Sequence, residues 1–145
     1  MSLDRIHKGL FQGSRPLPGY VLGHEGFKLL VLCAEEYQPA ANNFPGVQVV
    51  YAPNDDDSSR LPTRDELRLA LQAARQAVPI LEGGGKVLST CHMGLNRSGL
   101  VSALTLHLWL GVSGEQAIRL VQRGRRGALR NPGFVECLSR LKASE

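Results

Sequence analysis

Apolar residues recur along the chain in two rhythms. Lys28-Leu29-Leu30-Val31-Leu32-Cys33 and Val47-Gln48-Val49-Val50-Tyr51 are short continuous runs, as expected of strands buried on both faces of a sheet. Residues 5 to 12 alternate weakly and read as a short first strand. Gly13, Pro16, Pro18 and Gly19 then punctuate a loop with room for one helical turn. Leu67, Leu71, Ala74, Val78 and Leu81 instead recur at helical spacing behind Thr63 and Glu66, which form a capping box, so 63–82 reads as an amphipathic helix kinked near its end by Pro79. Gly83-Gly84-Gly85 ends it and leads into a strand at Lys86-Val87-Leu88; it lacks the lysine and hydroxyl of a nucleotide-binding loop. Leu100 to Leu110 is apolar enough for a buried helix, capped by Gly111. Ser113 with Gln116 forms a second capping box for a helix to about residue 123. Asn131 and Pro132 open a last helix with the stripe Phe134, Leu138, Leu141. Three strands, a helix, a strand and then helices predict an α/β fold: a central, mostly parallel sheet of roughly four to five strands flanked by helices.

A length of 145 residues suits one domain, 1–145, with a real core. The 17 Lys and Arg against 13 Asp and Glu give a formal charge of +4, which mildly favours anionic ligands without favouring nucleic acid over others. Cys33, Cys91 and Cys137 lie far apart without metal-ligand spacing, and their odd number points to a reducing, cytoplasmic setting. The run at 100–110 is too short to span a membrane and is interrupted by His107; nothing at the N-terminus reads as a signal peptide.

Candidate chemistry concentrates in Ser89-Thr90-Cys91-His92-Met93-Gly94-Leu95-Asn96-Arg97-Ser98-Gly99, between the last predicted strand and the apolar helix. Loop amides and the positive end of the helix dipole converge there, a geometry suited to a dianion. The same field favours the thiolate of Cys91 over a free thiol of pKa about 8.5. Arg97 offers a planar fork for two phosphate oxygens, Gly94 permits the turn, and Ser98 can cap the helix.

This stretch resembles the signature of the cysteine-dependent protein tyrosine phosphatase superfamily, and more closely its small dual-specificity branch. The resemblance covers nearly the whole chain. Leu10-Phe11-Gln12-Gly13-Ser14 is similar to the branch's opening strand and turn, Val50-Tyr51-Ala52-Pro53-Asn54-Asp55-Asp56-Asp57 to its general-acid loop, and residues 111–117 and 131–134 to its two later helix starts. Thr90 departs from the pattern, since histidine usually precedes the nucleophile; its hydroxyl can replace part of that residue's hydrogen bonding. The resemblance implies a dual-specificity-phosphatase-like fold and hydrolysis of phosphate monoesters through a phosphocysteine. Cys91 would be the nucleophile, Asp55 the acid with Asp56 and Asp57 in reserve, and Ser98 the group that helps the thiolate leave. His92, Met93, Gly94, Leu95, Asn96 and Arg97 would hold the phosphate, with no metal or cofactor. A monomer acting on phosphorylated protein or another phosphate ester is expected.

Within the same chemistry, Gly94-Leu95-Asn96-Arg97 also resembles the loop of phosphatase-like RNA 5′-triphosphatases, and residues 32–37 a stretch of tensin-like and phosphatidylglycerophosphate phosphatases. A non-catalytic phosphate-binding module is the rival from another class. Low-molecular-weight tyrosine phosphatases carry the motif near the N-terminus, and rhodanese-like domains lack the aspartate loop, so neither fits. His92 can line the loop's rim. Arg125, amid Arg123, Arg126 and Arg130, reads equally as a pocket border or a solvated basic face, and Trp109 as core. Cys33 reads as a small buried residue or as a redox partner that traps oxidised Cys91.

Overall fold

The computed structural model describes residues 1–144 and has a five-stranded sheet with β1 Leu3–His7, β2 Leu10–Gly13, β3 Phe27–Ala34, β4 Gln48–Asn54 and β5 Lys86–Thr90. The strand order is β1-β2-β5-β3-β4, antiparallel only between β1 and β2. The helices are α1 Val21–His24, α2 Arg64–Glu82, α3 Arg97–Leu110, α4 Gly114–Gly124 and α5 Pro132–Ser139. The α/β class and mostly parallel sheet are as expected, and so is the single helical turn in the loop after β2.

Strand β3 explains its own unbroken run of apolar residues. Leu29, Val31 and Cys33 enter the core under the helices, while Leu30 and Leu32 alternate into a second core closed by Leu22, Phe44 and Val47. Helix α3 lies against β2, β3 and β5 and also meets α2, α4 and α5, so every residue from Arg97 to Leu106 is buried.

Four local expectations need correction. The single strand over 5–12 is a hairpin, turned at Lys8 and Gly9, with Lys8 at φ 49°; no Asn-Gly or Asp-Gly pair announces it. β4 is an edge strand with Gln48 and Tyr51 exposed, rather than a buried one. Pro53, which lacks an N–H, suits that edge. The buried stripe of α2 is Ala70, Ala73, Ala74, Ala77 and Leu81, while Leu67, Leu71 and Val78 are half-buried. Small residues there let α2 approach α3 closely. The Thr63–Glu66 capping box is complete, whereas Ser113 accepts from the Gln116 amide and the Gln116 side chain accepts from Arg119 instead of returning to the cap.

Candidate active site

Strands β3, β4 and β5 run parallel, so they release the chain at one edge of the sheet. A cavity of about 360 Å³ opens there, lined by Glu36, Asp55, Asp56, Arg97 and the loop residues Cys91, His92, Met93, Leu95 and Asn96.

In the loop after Cys91, every carbonyl is held from outside. His92 O accepts from the Arg15 amide, Met93 O from Arg125 Nη2, and Gly94 O from Arg125 Nε at 2.7 Å and Gln12 Nε2 at 2.9 Å. Leu95 O accepts from the Leu129 amide, and Asn96 O from that of Leu100. Within residues 1–144 no protein acceptor takes the amides of His92 through Arg97. Peptide planes fixed with their carbonyls outward turn their N–H groups inward, which produces an anion-binding nest at the start of α3. Gly94 makes the turn at φ 74°, and a Cβ there would overlap the Gly13 carbonyl. The Cys91 sulfur lies 3.3 Å from Ser98 Oγ.

Arg97 is buried and already partly engaged. Its Nη1 donates to Glu36 Oε1 at 2.6 Å and to Asn54 O at 2.9 Å, and its Nη2 to Glu36 Oε2 at 2.8 Å. Of five guanidinium protons this leaves the Nε–H and one on Nη2, adjacent donors that form a fork for two oxygens. Glu36 therefore orients Arg97 without occupying that edge. Reading the sequence missed Glu36, although its position just past the end of β3 places it at the ligand-binding edge of the sheet.

The hydrogen bonds from Arg97 hold the Glu36 carboxyl at about 2, and those from Arg60 hold Glu66 at about 2, both below the ordinary 4.5. Carboxyls depressed in the folded state stabilise it fully above about 4.5, and that contribution is lost as pH falls from there towards 2. Glu36→Gln is expected to flatten part of the acid limb in a stability-versus-pH titration. An acid limb identical to wild type is the contrary result.

The three aspartates divide their tasks. Asp56, at φ 58°, accepts from Asn131 Nδ2 at 2.7 Å and Asn96 Nδ2 at 3.2 Å, tying its loop to the signature loop and to the N-cap of α5. Asp57 accepts from the Ser59 amide and hydroxyl and faces Arg60. Asp55 lines the cavity and pairs with Arg60 at 2.6 Å. Both partners of that pair are substantially exposed, so solvent screens it and it is easily exchanged.

Two further residues depart from expectation. Thr90 does not take over the absent histidine's place beside Cys91; its hydroxyl donates to Val31 O at 2.8 Å and fastens β5 to β3. Arg125 is neither a pocket border nor a solvated charge. It is buried, and besides Met93 O and Gly94 O it binds Asp4 Oδ2 at 3.0 Å and Ser2 Oγ at 2.9 Å, bracing the loop from behind. Arg125→Met is expected to destabilise the fold by about 2–3 kcal/mol and to weaken vanadate binding in the same variant. A stable protein with unchanged vanadate affinity would contradict the brace. Cys33 is buried, with its sulfur 3.9 Å from Ser89 Oγ; burial, and after it the nearby Cys91, pushes its thiol well up. Such a thiol is a weak nucleophile, which supports the packing role over the redox one.

The chain matches no protein-family model and no curated protein. Solved structures do match. Human DUSP28 is 28% identical, with 95% of this chain and 90% of that one covered at a TM-score of 0.79. Tk-PTP in its active form is 26% identical over 97% of this chain and 96% of that one, at 0.75. PTPMT1 in complex with PI(5)P, 22% identical over 94% and 92% at 0.77, shares the fold. With a parallel sheet that delivers Cys91 into a loop of inward amides and Arg97 behind it, this chain is similar along nearly its full length to small dual-specificity and tyrosine phosphatases.

Proposed function

We propose that this phosphatase hydrolyses phosphate monoesters, phosphotyrosine and phosphoserine or phosphothreonine of proteins among them, through a phosphocysteine on Cys91, and that it acts as a cytoplasmic monomer. The observation that carries this reading is the convergence of the inward amides of residues 92–97 and the free edge of Arg97 beside the Cys91 sulfur. A phosphoryl group seated there has its equatorial oxygens on these donors and its phosphorus in line with sulfur. The S–P bond forms as the ester P–O bond breaks, and the leaving oxygen takes the proton of Asp55. Water then attacks phosphorus and gives its proton to the Asp55 carboxylate. The S–P bond breaks, inorganic phosphate leaves, and Ser98 Oγ stabilises the departing thiolate. The three free cysteines suit a reducing compartment.

Asp55 is the better acid because its surface pair with Arg60 is cheap to open, whereas both Asp56 oxygens are used as fasteners. Asp55→Asn is expected to remove the limb of the pH–rate profile that falls as pH rises, and to slow alkyl phosphates more than aryl ones, whose leaving groups need less protonation. If that pattern follows Asp56→Asn instead, the acid is Asp56. Turnover of an aryl phosphate and of phosphotyrosine and phosphoserine peptides by the wild-type protein tests the reading as a whole; hydrolysis of none of them overturns it.

A further inference from the structure

The loop that carries Asp55 from β4 to α2 is gathered by one side chain. Arg60 reaches back across it. Its Nη2 donates to Asp55 Oδ1 at 2.6 Å and to Glu66 Oε2 at 3.2 Å, and its Nη1 to Glu66 Oε1 at 2.7 Å and to Leu61 O at 3.0 Å. Its Nε faces Asp57 Oδ2 at 3.4 Å. The Arg60 backbone is wedged in place, because a Cβ on Gly133 at the start of α5 would overlap its carbonyl. One cation therefore faces three carboxylates.

Two of the three have firm holders of their own. Glu66 accepts from the Thr63 amide at 2.8 Å as part of the capping box of α2, and its side chain is only 12% exposed. Asp57 accepts from the amide and hydroxyl of Ser59. The Asp55 carboxyl has, besides Arg60, a single long contact from the Asp57 amide at 3.3 Å. Glu66 thus fixes Arg60, and Arg60 in turn fixes Asp55. Glu66 Oε2 also accepts from the Asp55 amide at 3.4 Å, so the same two side chains hold the backbone and the carboxyl of that residue.

Both contacts to the Asp55 carboxyl fall on one oxygen. Oδ1 takes Arg60 and the Asp57 amide, while within residues 1–144 no donor reaches Oδ2. A protonated carboxyl keeps one oxygen that accepts while its O–H donates. Holding Oδ1 leaves Oδ2, on a residue that lines the catalytic cavity, to carry the proton. A general acid must stand within about 2.6–3.2 Å of the oxygen it protonates, and a freely rotating surface carboxyl meets that condition in few of its orientations. Solvent screens the Arg60 charge, so what Arg60 contributes is direction.

We propose that Arg60, itself aimed by Glu66, is a positioning residue for the acid: it holds Oδ1 of Asp55 so that Oδ2 delivers the proton. This rests on the phosphatase reading and on Asp55 as the acid, and it adds a substrate consequence. Esters of poorly leaving alcohols, phosphoserine and phosphothreonine among them, depend on the Arg60–Glu66 pair, whereas aryl esters largely bypass it.

The test measures kcat/KM for a series of nitrophenyl, phenyl and alkyl phosphates, with thermal melting, in wild type, R60M, R60K, E66Q, D55N and D55N/R60M proteins. R60M should lower alkyl turnover about a hundredfold and nitrophenyl turnover by no more than about threefold, with E66Q moving the ratio the same way by less. In the D55N background R60M should change the ratio no further, because the two residues act as a unit. R60K retains the charge but has no fork to span Asp55 and both Glu66 oxygens, so it should melt closer to wild type than R60M does and still lose the alkyl esters. A merely structural role would lower all substrates alike along with the melting temperature. An R60M ratio equal to wild type, an additive effect in D55N/R60M, or full recovery of the ratio by R60K overturns the proposal. A wild-type ratio in D55N itself overturns it through the identity of the acid. Absence of nitrophenyl phosphate turnover in wild type indicts the phosphatase reading and takes this proposal with it.

Discussion

Replacing Cys91 by serine is expected to lower turnover of every phosphate ester at least about 10⁴-fold while leaving vanadate or phosphate binding in place. The two effects separate because the groups that would bind and the group that would react are different atoms. Binding rests on the backbone amides of residues 92–97 and the Nε–Nη2 edge of Arg97, none of which the substitution touches. Reaction requires a soft, ionised nucleophile, and a serine hydroxyl at the same place is held by its proton near neutral pH. Steady-state kinetics and a binding titration on one preparation check the pair of outcomes. Residual turnover within tenfold of wild type would remove Cys91 from the mechanism.

Arg97→Lys is expected to cost on the order of 10³-fold in kcat, although the charge is retained. Arg97 spends three of its protons on Glu36 and Asn54 O and keeps two, side by side, for the substrate. An ammonium group has three protons in all and no planar fork, so it cannot hold Glu36 and also grip two phosphate oxygens. The loss should fall on kcat more than on KM, because trigonal-bipyramidal phosphorus spreads its equatorial oxygens towards the fork. Near-normal kcat in this variant would mean that the nest alone supplies the stabilisation.

How far these residues could be read without a structure depends on where the chain places them. Cys91, Arg97 and Ser98 stand within one strand-loop-helix unit, and the capping boxes, glycine stops and apolar rhythms are local as well. The supports of that unit are not local. Gln12, Glu36 and Arg125 come from β2, the loop after β3 and the end of α4. In sequence each is an ordinary polar residue whose significance appears only when the sheet brings it to the signature loop. β4 shows the same limit in packing: an apolar run marks a strand, but whether it lies at the centre or the edge depends on the neighbours it finds. Thr90 is a third instance. Its identity was plain and its partner, Val31 O, was not.

The outward carbonyls of residues 92–96 also bear on the thermodynamics of ligand capture. Loop peptide planes and the Arg97 rotamer are set when the protein folds, by Gln12, Glu36, Arg125 and the Leu129 amide. An arriving oxyanion consequently freezes little that was moving. The ordering entropy is charged to the folding transition, and association should show a small entropic penalty for an ionic ligand. The reverse coupling follows from linkage, since an anion that binds only the folded loop raises the unfolding temperature in proportion to the logarithm of its concentration.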